Sequence, residues 1–131
     1  MTMQNKILAV DDDPNNIAIM EEILNDHYDL RTATTGEEAL KIAPDFQPDI
    51  VLLDVMMPGM DGYEVCRRLR KYATLSHTII IMVTAKRVLS ERVKGHEVGA
   101  DDYITKPFEE YNLLESIAFF LQKGVNTNSK L

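Results

Sequence analysis

Cysteine is almost absent: Cys66 is the only one in 131 residues, so no internal disulfide can form and stability must come from a packed core. A lone thiol fits a reducing compartment. Long apolar runs are missing too. None approaches the roughly 20 residues of a membrane span, and Met1 to Lys6 lacks the apolar centre of a signal peptide. Positive charge is scarce, with 14 basic against 21 acidic side chains and a net charge of −7. That balance argues against direct nucleic-acid binding by electrostatics. The three histidines, His27, His77 and His96, are scattered, and none accompanies a serine or cysteine in a nucleophile pattern. The expectation is a cytoplasmic protein with neither a membrane nor a nucleic acid as direct partner.

What is present is a rhythm. Five short apolar runs alternate with helical patterns: Lys6 to Val10, Tyr28 to Ala33, Ile50 to Leu53, Thr78 to Val83, and Asp102 to Ile104. Continuous apolar runs suit parallel strands buried on both faces; the second and fifth are weaker and read as edge strands. Asp13 is placed to cap a helix opening at Pro14, with Ile17, Met20, Ile23 and Leu24 on one face. Thr35 to Glu38 has capping-box spacing, and Asp61 with Glu64 repeats it. A more polar helix is predicted from Ser90 through Val98, ended by Gly99. A last helix is predicted to open at Pro107, carrying Leu113, Leu114, Ile117 and Leu121. From Gly124 onward the chain reads as a frayed polar tail. With 45% apolar residues and this length, one domain is expected. Strict strand–helix alternation predicts a doubly wound α/β fold with a five-stranded parallel sheet.

In such folds the site lies beyond the carboxyl ends of the strands. The polar residues fall there. The first strand ends in Asp11-Asp12-Asp13, the third in Asp54, the fourth in Thr84, and the fifth is followed by Lys106-Pro107. Each has a plain structural explanation by itself: Asp13 as a helix cap, Asp11 and Asp12 as exposed strand-end acids, Thr84 as a turn residue, Lys106 as a solvated lysine, Tyr103 as an edge aromatic. Their joint placement at four strand ends is what favours function. Converging carboxylates repel unless a cation neutralises them, and hard oxygen ligands without His or Cys favour Mg²⁺. A carboxylate can also attack phosphorus to give an aspartyl phosphate. The charge on the phosphoryl oxygens then needs neutralising, work suited to Mg²⁺, the Lys106 ammonium, the Thr84 hydroxyl and backbone N–H groups.

The segments Ile7 to Asp13, Asp54 to Gly62, Val83-Thr84-Ala85 and Gly99 to Phe108, in this order and spacing, strongly resemble the receiver domain of bacterial two-component response regulators. The resemblance covers about Lys6 to Lys123. It implies the flavodoxin-like strand order 2-1-3-4-5, with residues 1–123 as the receiver domain and 124–131 as a polar tail. It implies that Asp54 is phosphorylated and that Asp12 ligates Mg²⁺ directly while Asp11 acts mainly through water. Asp54 itself and the backbone carbonyl of Met56 would complete the protein's metal ligands. Lys106 would contact the phosphoryl group, Thr84 and Tyr103 would form a switch pair, Ala85 would leave room for the phosphoryl group, and a cis Pro107 would aim Lys106 into the crevice. The implied partners are a sensor histidine kinase or phosphotransfer protein upstream and an effector protein or output domain downstream. The implied role is a switch, not an enzyme beyond its own phosphoryl transfer and slow autodephosphorylation.

Two other readings compete with this one. A haloacid-dehalogenase-type phosphatase also places an aspartate nucleophile after its first strand, and Asp101-Asp102 mimics a second acidic motif. Against it, Asn15 stands where a threonine is expected, the chain is short for that fold with a cap, and Asp54 would have no role. A degenerate receiver, acting only as a binding module, would have lost an acid, the lysine or the threonine, and none is missing. Met56, Met57 and Met60 suit core filling or partner docking equally. Ser129-Lys130-Leu131 matches a peroxisomal address, a three-residue coincidence at odds with the bacterial resemblance. The chain fits a stand-alone receiver and the N-terminal part of a longer regulator alike. Transcription-factor receivers of this family often dimerise through a basic residue early in the last helix; Glu109-Glu110-Tyr111-Asn112 has none, which counts against that dimer.

Overall fold

Parallel pairing forces every connection to cross over the sheet, and the amphipathic segments supply those crossovers. In a computed structural model, which describes residues 4–85, 94 and 97–129 (backbone alone for 123–129), the strands are β1 (Lys6–Val10), β2 (Asp29–Ala33), β3 (Ile50–Asp54), β4 (Ile79–Thr84) and β5 (Asp102–Thr105). The described helices are α1 (Pro14–Leu24), α2 (Gly36–Phe46), α3 (Gly62–Leu69) and α4 (Glu110–Ser129), with a 3₁₀ turn at Ala73–Leu75. All pairings are parallel, in the order β2-β1-β3-β4-β5, as expected. β2 and β5 are the edges.

The period of two along the central strands sorts side chains into two cores. Leu8, Val10, Val51, Leu53, Ile80 and Met82 pack under α2 and α3. Ile7, Ala9, Ile50, Leu52, Ile81 and Val83 face the other way, against Ile17, Met20 and Leu24 of α1 and Leu113 and Ile117 of α4. Full burial of one such large aliphatic chain contributes about 1.5–3 kcal/mol. Both faces are covered, which is why the central strands read as unbroken apolar runs.

The predicted caps form. Asp13 Oδ1 accepts from Asn15 N at 2.9 Å, Thr35 Oγ1 from Glu38 N at 3.1 Å, and Asp61 Oδ1 from Glu64 N at 3.0 Å. The reciprocal half of each box differs. Glu38 Oε1 accepts from Thr34 N, one residue earlier than the simple box, and Glu64 turns instead to Arg67 and Arg68.

Two boundaries of the last helix also differ from expectation. It begins at Glu110 rather than Pro107, with Leu113 N donating to Glu109 O at 3.0 Å. Residues 105–108 are used up in the turn that carries Lys106 off the end of β5. It also runs on to Ser129, past Gly124, where the polar composition set the expectation of a tail; no proline interrupts the backbone ladder there. The helix predicted from Ser90 lies largely outside the described residues. Its end is within them: Val98 N donates to Lys94 O at 3.2 Å, and Gly99 has φ +104°. Among the described residues no helix is long and apolar enough to cross a membrane.

Candidate functional site

Apolar strands deliver polar residues to one end of the sheet. Asp11 follows β1, its N–H still held by Ala33 O at 3.1 Å, and its side chain is only 1% exposed. Both of its carboxylate oxygens are engaged. Oδ1 accepts from Asp13 N at 2.9 Å, while Oδ2 accepts from Asn16 Nδ2 at 3.2 Å and from Lys106 Nζ at 2.8 Å. Asp54 ends β3, 6% exposed, and Lys106 Nζ reaches its Oδ1 at 3.3 Å. Lys106 comes from beyond β5, with its N–H fixed to Thr84 O at 2.8 Å and a cis bond to Pro107. Asp12 stands exposed at the mouth, and carboxylate oxygens of Asp11, Asp12 and Asp54 all lie within 4.8 Å of one another.

Two of these carboxylates, Asp11 and Asp54, thus share the Lys106 ammonium, with Asp12 close by. Burial pushes the Asp54 carboxyl up to about 6, and the Asp11 charge adds to it, while Lys106 opposes both. Burial pulls the Lys106 ammonium down, but its hydrogen bond to Asp11 and the charges of Asp54 and Asp11 outweigh burial and hold it above the ordinary lysine value. Asp54 is therefore a carboxyl that takes up its proton at higher pH than an ordinary aspartate does.

Thr84 ends β4 and is buried. Tyr103 pairs with Met82, so Thr84 lies two residues further along β4 on the same face of the sheet as Tyr103. Tyr103 is half-buried, and its hydroxyl donates to the Tyr63 hydroxyl at 3.4 Å. Met57 and Met60 join the core while Met56 is 58% exposed, which divides the three methionines between the two roles left open above. His27 and His77 are exposed and away from the crevice; His96 lies outside the described residues. An open cleft of about 320 Å³ flanks Lys106, lined by Asn16, Ile19, Ala85, Pro107 and Phe108.

Asp101 belongs elsewhere. It precedes β5, at the opposite end of the sheet, where it accepts from Ile80 N at 2.8 Å and from Arg70 Nη2 at 2.8 Å. The second acidic motif of a dehalogenase-type site is therefore not at the crevice.

Residues that sequence reasoning missed include Asn16, which steadies Asp11, and Gly62, whose absent Cβ would lie 2.3 Å from Asp54 O. Gly62 N donates to Val55 O at 2.9 Å, so α3 starts flush against the backbone of the phosphoacceptor candidate. Asn16 shows as a polar residue five places after Asp11, but only the turn of α1 tells which way it faces.

A doubly wound sheet whose carboxyl end carries an acid-lined crevice with Lys106 in it defines a class of signalling domain. The family model for the response regulator receiver domain matches residues 7–118, and the chain belongs to that family. It is 47% identical over 123 residues to the alkaline phosphatase synthesis transcriptional regulatory protein PhoP of Bacillus subtilis, covering 93% of this chain and 50% of that protein. It is 41% identical over 116 residues to the response regulator PleD of Caulobacter vibrioides, covering 88% of this chain and 26% of that protein. Among solved structures, the chemotaxis protein CheY4 of Vibrio cholerae superposes with a TM-score of 0.86 at 33% identity, over 89% of this chain and 98% of that one. The chain spans half or less of the length of these two curated relatives. It is a receiver domain of the two-component type, a signalling switch.

Proposed function

We propose that the domain accepts a phosphoryl group on Asp54 and changes a partner-binding face in response. The observation that carries this is Lys106 Nζ bridging Asp11 and Asp54, with Asp12 beside them at the crevice mouth. A carboxylate oxygen of Asp54 forms the new bond to phosphorus as the P–N bond of a phosphohistidine breaks, and the imidazole leaves. Lys106 neutralises charge on the phosphoryl oxygens, and the Thr84 hydroxyl donates to one of them.

The residues fit a divalent cation. Among the described residues three carboxylates gather around a single ammonium, which leaves negative charge uncompensated, and the donors are all oxygen. Asp12, Asp54 and the Met56 carbonyl would hold Mg²⁺, with Asp11 acting through water. When bound, the ion supplies charge neutralisation for the transferring group. Asp11 keeps Lys106 oriented in either case.

The phosphoryl donor is a phosphorylated histidine of a kinase or phosphotransfer protein. Downstream, an effector protein or an output domain reads the switch; the acidic balance argues against nucleic acid as a direct ligand of this domain. The cytoplasm is the compartment these partners imply. Incubation with a small phosphodonor and Mg²⁺ is expected to add one phosphoryl group, labile to hydroxylamine, and Asp54→Asn to abolish it. Equal labelling of that variant at another residue would overturn the assignment. Absence of labelling in the wild-type chain would favour a phosphorylation-independent binding module.

A further inference from the structure

Helix α3 is short, yet its side chains hold the stretch leading into and along β5. Cys66 Sγ donates to Val98 O at 3.4 Å, and Arg70 Nε donates to Gly99 O at 2.9 Å. Tyr63, the second residue of α3, does more. It is 4% exposed and packs in the core with Met57 and Met82. Its hydroxyl accepts from Tyr103, and Lys94 Nζ sits 4.6 Å from its ring centroid. The residue before it, Gly62, abuts the Asp54 carbonyl. Two adjacent residues of α3, Gly62 and Tyr63, therefore link the backbone of Asp54 to Tyr103 and Lys94.

We propose that Tyr63 is a positioning residue of the switch: its hydroxyl holds Tyr103 turned toward α3 and its ring holds Lys94, so that α3 moves with the signalling face. This rests on reading Thr84 and Tyr103 as the switch pair. The hydroxyl contact is long, near the limit of a hydrogen bond. Such a contact biases a population without locking it, by a factor on the order of fivefold. Because the contact is made in the ligand-free protein and opposes the inward turn of Tyr103, linkage requires that losing the hydroxyl tighten binding of a phosphoryl mimic, by at most the same factor.

Tyr63→Phe removes the hydroxyl and keeps the ring and its volume, so the fold and the Lys94 contact are retained. The tyrosine ring carbon–proton spectrum of this five-tyrosine chain, with Tyr103 assigned by its loss in Tyr103→Phe, reads the environment of Tyr103 directly. In Tyr63→Phe the Tyr103 resonance is expected to move in the ligand-free protein. The midpoint of a beryllofluoride titration with Mg²⁺ is expected to fall, by up to about fivefold, with little change in Tm. Tyr63→Leu, which also removes the ring, is expected in addition to shift the Lys94 amide. An unmoved Tyr103 resonance, or a midpoint that does not fall, overturns the proposal. Failure of the wild-type chain to bind beryllofluoride would overturn the phosphoacceptor reading instead, while a moved Tyr103 resonance in the ligand-free variant would still sustain the hold of Tyr63 on Tyr103.

Discussion

At the residue scale the crevice is under electrostatic tension, and Asp54 bears it. Its carboxyl titrates at about 6 in the fold, against 3.8 ordinarily, chiefly because it is buried and faces Asp11. The folded state thus holds a proton between pH 3.8 and about 6 that the unfolded chain has released. Stability contributed by this group is therefore greatest below pH 3.8, falls as pH rises toward 6, and stays low above it. The full shift corresponds to about 2–3 kcal/mol at neutral pH, less where water screens the crevice. Asp54→Asn, which removes the charge and keeps an acceptor for Lys106, is expected to make the metal-free protein about 2 kcal/mol more stable at pH 7.5. The gain should vanish toward pH 4. Added Mg²⁺ should stabilise the wild type by mass action and the variant less, narrowing the gap. Urea denaturation across that pH range, with and without Mg²⁺, measures this. A variant less stable than wild type at pH 7.5 without metal would contradict the crowded-carboxylate account.

At the scale of elements, sequence and structure agree where a residue's place follows from its own strand. Asp11, Asp54, Thr84 and Lys106 each end or follow an apolar run, so the doubly wound rule brought them together before any coordinates. The strand order came with the family resemblance. What could not be read depends on how crossovers pack. Gly62 matters because α3 touches the end of β3, and Tyr63 because α3 reaches β5, 40 residues later. The start of the last helix was misplaced for a related reason. A proline after a strand signals a helix opening, but here Pro107 serves the turn that follows Lys106. Gly62 offers a test of this packing. An alanine Cβ there would lie 2.3 Å from Asp54 O and 2.9 Å from Val55 Cα, both backbone atoms that cannot swing aside. Gly62→Ala is expected to cost about 1–3 kcal/mol by overpacking and, by displacing Asp54, to slow phosphorylation on the order of tenfold or more. Gly59 is the control. It has φ +75° and open space around it, so Gly59→Ala should lose about 1–2 kcal/mol to backbone strain while leaving the phosphorylation rate near wild type. Equal effects of the two on the rate would show that Gly62 holds nothing in place.

At the scale of the whole molecule, the question is how a charge added at one end of a rigid parallel sheet is felt at its edge. A phosphoryl group adds about −1.5 to −2 charge beside Thr84, whose side chain lies on the same sheet face as Tyr103. If the Thr84 hydroxyl swings to a phosphoryl oxygen, it vacates space that the Tyr103 ring can enter. Tyr103 sits on an edge strand with only one neighbour, β4, so the edge can adjust where the central strands cannot. The signalling face would then comprise Lys94, Glu97, Tyr103 and Glu109, on the end of the polar helix, β5 and the approach to α4. Such a change would be a shift between two pre-existing states, biased by one hydrogen bond and one rotamer. Beryllofluoride with Mg²⁺ is expected to shift NMR signals at those four residues as well as in the crevice. Thr84→Ala should still accept phosphate on Asp54, because nucleophile, lysine and acids are intact, yet pass on only a fraction of the change at Lys94 and Glu97. If beryllofluoride perturbs the crevice alone, or if Thr84→Ala leaves the distal shifts at full size, then the edge is not coupled through Thr84, even though Asp54 remains the acceptor.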